Sequence, residues 1–181
     1  MNKKLLTTAL ITASFVVMGA IFPISESKAE SDVKFICGKS YDRQTANKNK
    51  RLPTTFAWTS RGKTAIVRWE KNFGKYSPEE RCKSVAPRFQ EAYDNGTLQM
   101  ITNGKVNGQP VICAVREYGD SCQTVLMTLR QKDNPIQMLN DLKDTLNGRG
   151  VGPVKNSSGT PQIYYQVNMD EFLRNAPIEK E

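Results

Sequence analysis

The sequence contains no histidine. Imidazole is the side chain whose ordinary pKa lies nearest neutrality, so the usual general base, nucleophile partner and metal ligand are missing. Ser-His-Asp and Cys-His hydrolases and His-ligated zinc or haem are therefore excluded. The four cysteines, Cys37, Cys82, Cys113 and Cys122, include no C-x-x-C pair. That spacing would signal a zinc ribbon or a thioredoxin-type redox centre, and no other motif lowers a thiol pKa. Hydrophobic residues make up only 38% of the 181 positions, and the first 29 hold a disproportionate share of them. The remaining core is lean and gains from covalent staples. No metal site, cofactor motif, internal repeat or catalytic constellation is visible, so the composition points away from an enzyme.

The amino-terminal segment has a different purpose. Lys3 and Lys4 precede an uncharged, mostly apolar run from Leu5 to Ile24, broken by Pro23 and Ser25. Ser27-Lys28-Ala29 sets small residues at the two positions a signal peptidase reads. Residues 1–29 read as a secretory signal cleaved after Ala29. The competing reading is an uncleaved anchor, since about 20 uncharged residues can cross a bilayer. Thr7, Thr8, Thr12, Ser14 and Gly19 weaken the anchor reading. The expected organisation is a signal over residues 1–29, one domain over 30–175 and a tail over 176–181. The whole chain carries 26 basic and 18 acidic residues, a net +8. Cleavage removes three lysines and one glutamate and leaves +6.

Export to the periplasm, a thylakoid lumen or the extracellular space permits disulfides, and an even cysteine count favours two. Three connectivities exist. Cys113 and Cys122 flank the short loop Arg116–Ser121, so this bridge is the cheapest to close. That favours Cys113–Cys122 and, by remainder, Cys37–Cys82. A tight hairpin centred on Gly119-Asp120 would set Cys113 opposite Leu126 instead, so the other pairings stay open.

Val33, Phe35 and Cys37 alternate as a strand. Thr54–Thr59 and Ala65–Trp69 form a hairpin through Ser60-Arg61-Gly62-Lys63, with Trp58 and Trp69 at core parity. Ser77-Pro78-Glu79-Glu80 is a capping box that starts a helix. Its apolar stripe runs through Cys82, Val85, Ala86, Phe89, Ala92 and Tyr93. Pro87 is expected to kink the helix and Asn95-Gly96 to end it. Asn107-Gly108 is a strong hairpin signal that sets Gly104 opposite Val111 and Thr102 opposite Cys113. Val125–Leu129 reads as a strand and Asn134-Pro135 as the start of a second helix, stopped by Gly148. Residues 149–161 read as a loop. Ile163–Val167 reads as an edge strand whose Tyr164 and Tyr165 face opposite ways. Asn168 and Glu171 cap a last short helix. The expected fold is α+β, a single domain with an antiparallel sheet of five to six strands and two main helices on one face.

Several blocks then resemble one family. They are Phe35-Ile36-Cys37-Gly38, Pro53-Thr54-Thr55, Arg61-Gly62-Lys63 and, most densely, Tyr76-Ser77-Pro78-Glu79-Glu80-Arg81-Cys82. Pro87-Arg88-Phe89, Asn95-Gly96-Thr97-Leu98, Asn107-Gly108-Gln109-Pro110-Val111-Ile112-Cys113 and Cys122 follow in order. Together they resemble the circadian oscillating protein family of cyanobacteria over about residues 33–173. The resemblance implies an exported, membrane-peripheral protein. It carries over no catalytic residue.

Candidate chemistry is sparse. Glu79/Glu80 and Asp170/Glu171 are paired carboxylates at helix starts, where acids also cap and meet the dipole. Arg81 and Arg88 lie seven apart on one helix face and form a candidate face for an anionic ligand. Lys48, Lys50, Arg51, Arg61 and Lys63 occupy two loops and form a candidate basic patch at one end of the sheet, suited to an anionic membrane surface or envelope polymer. Nucleic acid is not expected of an exported domain without a recognition motif. The leading expectation is a non-enzymatic, disulfide-stapled exported module that sits peripherally on a membrane or envelope. The alternatives are an envelope glycan hydrolase built on two carboxylates, or a small inhibitor or assembly factor presenting the Arg116–Ser121 loop.

Overall fold

The computed structural model describes residues 33–41, 50–150 and 160–179. The signal segment 1–29, Lys48 and residues 151–159 lie outside the described residues. β1 (Lys34–Tyr41), β2 (Arg51–Thr59) and β3 (Gly62–Arg68) form one antiparallel sheet in that order. α1 (Pro78–Asp94) follows, then β4 (Met100–Val106), β5 (Gln109–Val115) and β6 (Thr124–Thr128). The chain continues through α2 (Pro135–Thr145), the two-residue β7 (Arg149–Gly150), β8 (Tyr164–Gln166) and α3 (Met169–Asn175). The second sheet is antiparallel with the order β6-β5-β4-β8-β7.

The α+β class holds, but the single sheet of five to six strands does not. Two sheets form because the outer edge of β3 is taken by the C-terminal segment. The Glu179 N–H donates to the Lys63 carbonyl at 2.8 Å, and the Glu179 carboxylate pairs with Arg68. Gly62, at φ +129°, lets Ile178 pack where a Cβ would stand 2.6 Å from its methyl group. Both main helices contribute to one apolar core. α1 packs on β1 and β2 and reaches β6, while α2 packs on β4 and β5 and touches β3.

Local chemistry explains most elements. Ser77 Oγ accepts the Glu80 N–H at 3.2 Å, and the Glu80 carboxylate accepts the Ser77 N–H at 2.7 Å, closing the capping box. Cys82, Val85, Ala86, Phe89 and Ala92 form the buried stripe of α1. The helix runs through Pro87 to Asp94 as one element. The β4–β5 register matches the sequence reading, with Gly104 opposite Val111 and Thr102 opposite Cys113. Asn107 and Gly108 both adopt positive φ, as a type I′ turn requires. The Ile163–Val167 segment is not an edge: β8 pairs with β4 on one side and β7 on the other, and β7 falls inside a stretch read as loop.

The core face of β2 is the reverse of the one the alternation suggests. Phe35, Thr55 and Ala57 face α1, and their small neighbours leave room for the buried Trp69. Phe56 and Trp58 lie on the opposite face. Phe56 is buried there with its ring over Gly38, where a Cβ would sit 3.0 Å from the ring edge. Trp58 is 46% exposed, not core.

Both favoured bridges are present. Cys37–Cys82 ties β1 to α1 with Cα atoms 5.5 Å apart, and Cys113–Cys122 closes the β5–β6 loop at 5.3 Å. A bulge between Ile112 and Cys113 moves Cys113 from Leu126 to Val125, leaving it free to reach Cys122. The bridges close spans of 45 and 9 residues. On loop-closure entropy, C37A/C82A will lose about 4 kcal/mol and C113A/C122A about 2.5 kcal/mol in urea unfolding. A larger loss from the shorter bridge would contradict this ordering.

Candidate functional site

The segment between β3 and α1 carries Trp69, Phe73 and Tyr76 within eight residues. A small hairpin forms there, with Phe73 and Tyr76 exchanging backbone hydrogen bonds at 2.9 Å. Trp69 is 3% exposed, and its indole N–H donates to Thr55 Oγ1 at 2.9 Å. The capping box sets the phase of α1, so Arg81 projects back over this segment. Its guanidinium lies 4.5 Å from the Trp69 ring centroid and 5.5 Å from that of Phe73. Arg81 Nη1 donates to the Lys71 carbonyl at 3.1 Å. Loss of solvation lowers the Arg81 pKa, and the charge of Asp133 partly offsets the effect.

Two concavities meet at this stack. One, of about 440 Å³, is lined by Phe73, Tyr76, Val85 and Arg88. The other, of about 510 Å³, extends past Ile66, Lys71 and Arg130 to Leu142 on α2. Trp69, Arg81 and Met127 line both. The structure thus brings Arg81 and Arg88 to one groove, as their seven-residue spacing on the helix face implies. The sequence reading missed Trp69, Phe73 and Tyr76 as groove residues. Trp69 reads as the end of a strand, and Phe73 and Tyr76 lie in an aromatic-rich stretch assigned to neither strand nor helix.

The basic patch is not assembled in the same way. Arg51 pairs with Tyr41 at one end of β2, whereas Arg61 turns the chain beyond Thr59 at the other. Eight strand steps separate those ends by about 26 Å. Lys50 pairs with Glu70 at 3.3 Å, and Arg51 stacks on Tyr41 at 5.2 Å. Arg61 donates to the Leu173 and Arg174 carbonyls, which caps the C-terminal end of α3. Lys63 lies 5.7 Å from the Trp58 ring centroid. Lys34 is the direct partner of Trp58 across β1, so both lysines flank the exposed indole on one sheet face.

The carboxylates are occupied. Glu79 pairs with Lys83 at 2.8 Å, and Glu80 accepts the Ser77 N–H and hydroxyl. Each is held below the ordinary carboxylate range, Glu79 by the Lys83 hydrogen bond and Glu80 by the Ser77 backbone N–H. Near the groove, Asp133 accepts two bonds from Arg130 Nε, at 2.9 and 3.1 Å, and one from the Arg130 backbone N–H. The Arg130 guanidinium holds its pKa down as well. Three acids kept ionised are poor proton donors. Asp170 and Glu171 stand at the start of α3, behind the Asn168 cap.

These features define a disulfide-stapled α+β module with an arginine-lined aromatic groove. The family model for circadian oscillating protein COP23 matches residues 34–174. The chain belongs to that family. Comparison with curated proteins and with solved structures finds no match to either.

The Asp133 shift makes a testable statement about pH. Its folded pKa lies below the unfolded value, so its stabilisation is full above about pH 4 and is lost as pH falls through the folded pKa. D133N will be less stable than wild type at pH 7, and the gap will shrink toward pH 2 in urea titrations. A gap that stays constant with pH would contradict the pairing.

Proposed function

We propose that this protein is an exported, non-enzymatic module that attaches peripherally to an anionic membrane surface. The observation that carries this reading is the row Lys34–Trp58–Lys63 at the exposed end of the face of the first sheet turned away from α1. Trp58 is 46% exposed between two cationic neighbours, beside the partly exposed Ile36 and Ala65. Indole rings favour the headgroup level of a bilayer, and lysines lay their stems along apolar surface while the ammonium reaches lipid phosphates. The attachment surface is therefore a strand face, replacing the two-loop patch expected from the sequence. Two disulfides fit an oxidising compartment, and no helix among the described residues is long and apolar enough to cross a membrane. The hydrolase reading has less support, because it needs a carboxylic acid with a raised pKa.

Sedimentation with vesicles tests the reading. The protein will pellet with phosphatidylglycerol-rich vesicles, stay soluble with phosphatidylcholine alone, and be released by salt. Each lysine contributes about 1 kcal/mol at such a surface, so K34A/K63A will lower partitioning roughly thirtyfold. Equal binding to neutral vesicles, or no effect of W58A and K34A/K63A, would refute it. Capture by envelope polymer in place of vesicles would also refute it.

A further inference from the structure

Three cations surround the groove without a carboxylate partner. Among the described residues, Lys71, Arg81 and Arg88 have no ion pair, although each of the neighbouring Lys50, Arg68 and Arg130 has one. The Arg88 side chain makes no hydrogen bond among those residues either. The one carboxylate lining the 440 Å³ concavity, Glu80, is committed to Ser77. On the adjoining concavity, Glu70 is paired with Lys50, Asp133 with Arg130, and Asp141 accepts from Gln137. The cations stand around an apolar lining of Trp69, Phe73, Val85 and Met127, with Tyr76 48% exposed at the margin.

This combination has a cost that a ligand would offset. A half-buried guanidinium gives up part of its hydration, and stacking on two aromatic faces returns only part of it. Arg81 has five N–H donors, and the Lys71 carbonyl uses one. The planar fork left over matches a carboxylate. Arg88, two helical turns on, lies about 10 Å along the same wall. An occupant that reached both would extend along α1 and lay an apolar body over Met127 and Val85. A volume of about 440 Å³ is within the usual range for small-ligand sites.

We propose that this groove binds a carboxylate attached to an aromatic or branched apolar group. Arg81 takes the carboxylate, Arg88 adds positive charge further along the same wall, and Trp69, Phe73, Tyr76 and Met127 take the apolar part. Two sources present that chemistry: the apolar C-terminal end of a polypeptide, and a free amphipathic acid. The site is separate from the Lys34–Trp58–Lys63 face, so vesicle binding and groove binding stand or fall independently.

The full, oxidised chain carrying W58F isolates Trp69 as the sole tryptophan reporter, since the sequence has two. Its fluorescence is titrated with N-acetyl-Ala-Leu-Phe as the free acid, with the same peptide as its C-terminal amide, and with dodecanoate below its micelle concentration. A saturable change with the free-acid peptide assigns the source to a chain end, and one with dodecanoate assigns it to an amphipathic acid. Either supports the proposal. The amide will bind at least about tenfold more weakly than the free-acid peptide, as the loss of one charged contact implies. R88Q will weaken whichever acid binds by a smaller factor, and R81K will weaken it while retaining the charge. Circular dichroism checks that each variant is folded. No saturation by either acid up to about 1 mM, or equal binding of acid and amide, would overturn the proposal. Unchanged affinity in a folded R88Q would overturn the role of Arg88.

Discussion

The contact on which the rest of this structure depends lies where α1 meets the first sheet. Cys82 is fully buried on the helix and bonded to Cys37 on β1. Thr55, on β2 beside Cys37, approaches Cys82 Sγ at 3.9 Å through its hydroxyl and accepts the Trp69 indole N–H. Two strands, the segment after β3 and a helix are thereby joined through one bridge and one hydroxyl. In a chain with few hydrophobic residues this junction does what a larger apolar core does elsewhere. From the other side of α1, Gln90 accepts the Phe35 N–H at 2.8 Å and donates to the Val33 carbonyl, so the helix also closes the free edge of β1.

The groove inherits its geometry from that junction. Arg81 precedes Cys82 in the chain, and Trp69 follows β3 directly. Once Cys82 is tied to β1 and Trp69 to Thr55, the Arg81 guanidinium can settle on the Trp69 face with little freedom left. Met127 on β6 completes the lining because α1 also reaches the second sheet. The two sheets stay separate because the C-terminal segment occupies the β3 edge, and the groove opens between α1 and the ends of both. Among the described residues, no buried side-chain nitrogen or oxygen lacks a hydrogen-bond partner. The unpaired cations at the groove therefore lie at its accessible wall and not in the interior.

Much of this was legible in the sequence where local chemistry decides. Ser77-Pro78 with Glu80 fixed the start of α1, and Asn107-Gly108 fixed a whole register, because both are short-range signals. Cys113–Cys122 was readable from loop length, although the bulge that permits it was not. Sheet partnership was not readable, since alternation marks a strand without saying which edge it meets. The burial of Phe56 and exposure of Trp58 depended on Gly38 and on the volume of Trp69, both distant in sequence. The split of the basic residues followed from β2 spanning its sheet, which only the β1–β2 register reveals. Arg81 and Arg88 were legible as a pair. Of their aromatic partners, Trp69 was legible only as core, and Phe73 and Tyr76 lay in a segment without periodicity.

The Cys37–Cys82 bridge holds Trp69 in place beneath Arg81. Hydrogen exchange of the two indole N–H groups, followed by NMR, tests this most directly. In the oxidised protein the Trp69 indole will be protected and the exposed Trp58 indole will not. In folded C37A/C82A the Trp69 protection will fall by up to about a thousandfold, in line with the stabilisation the bridge provides. Trp69 protection equal to that of the oxidised protein would contradict the account.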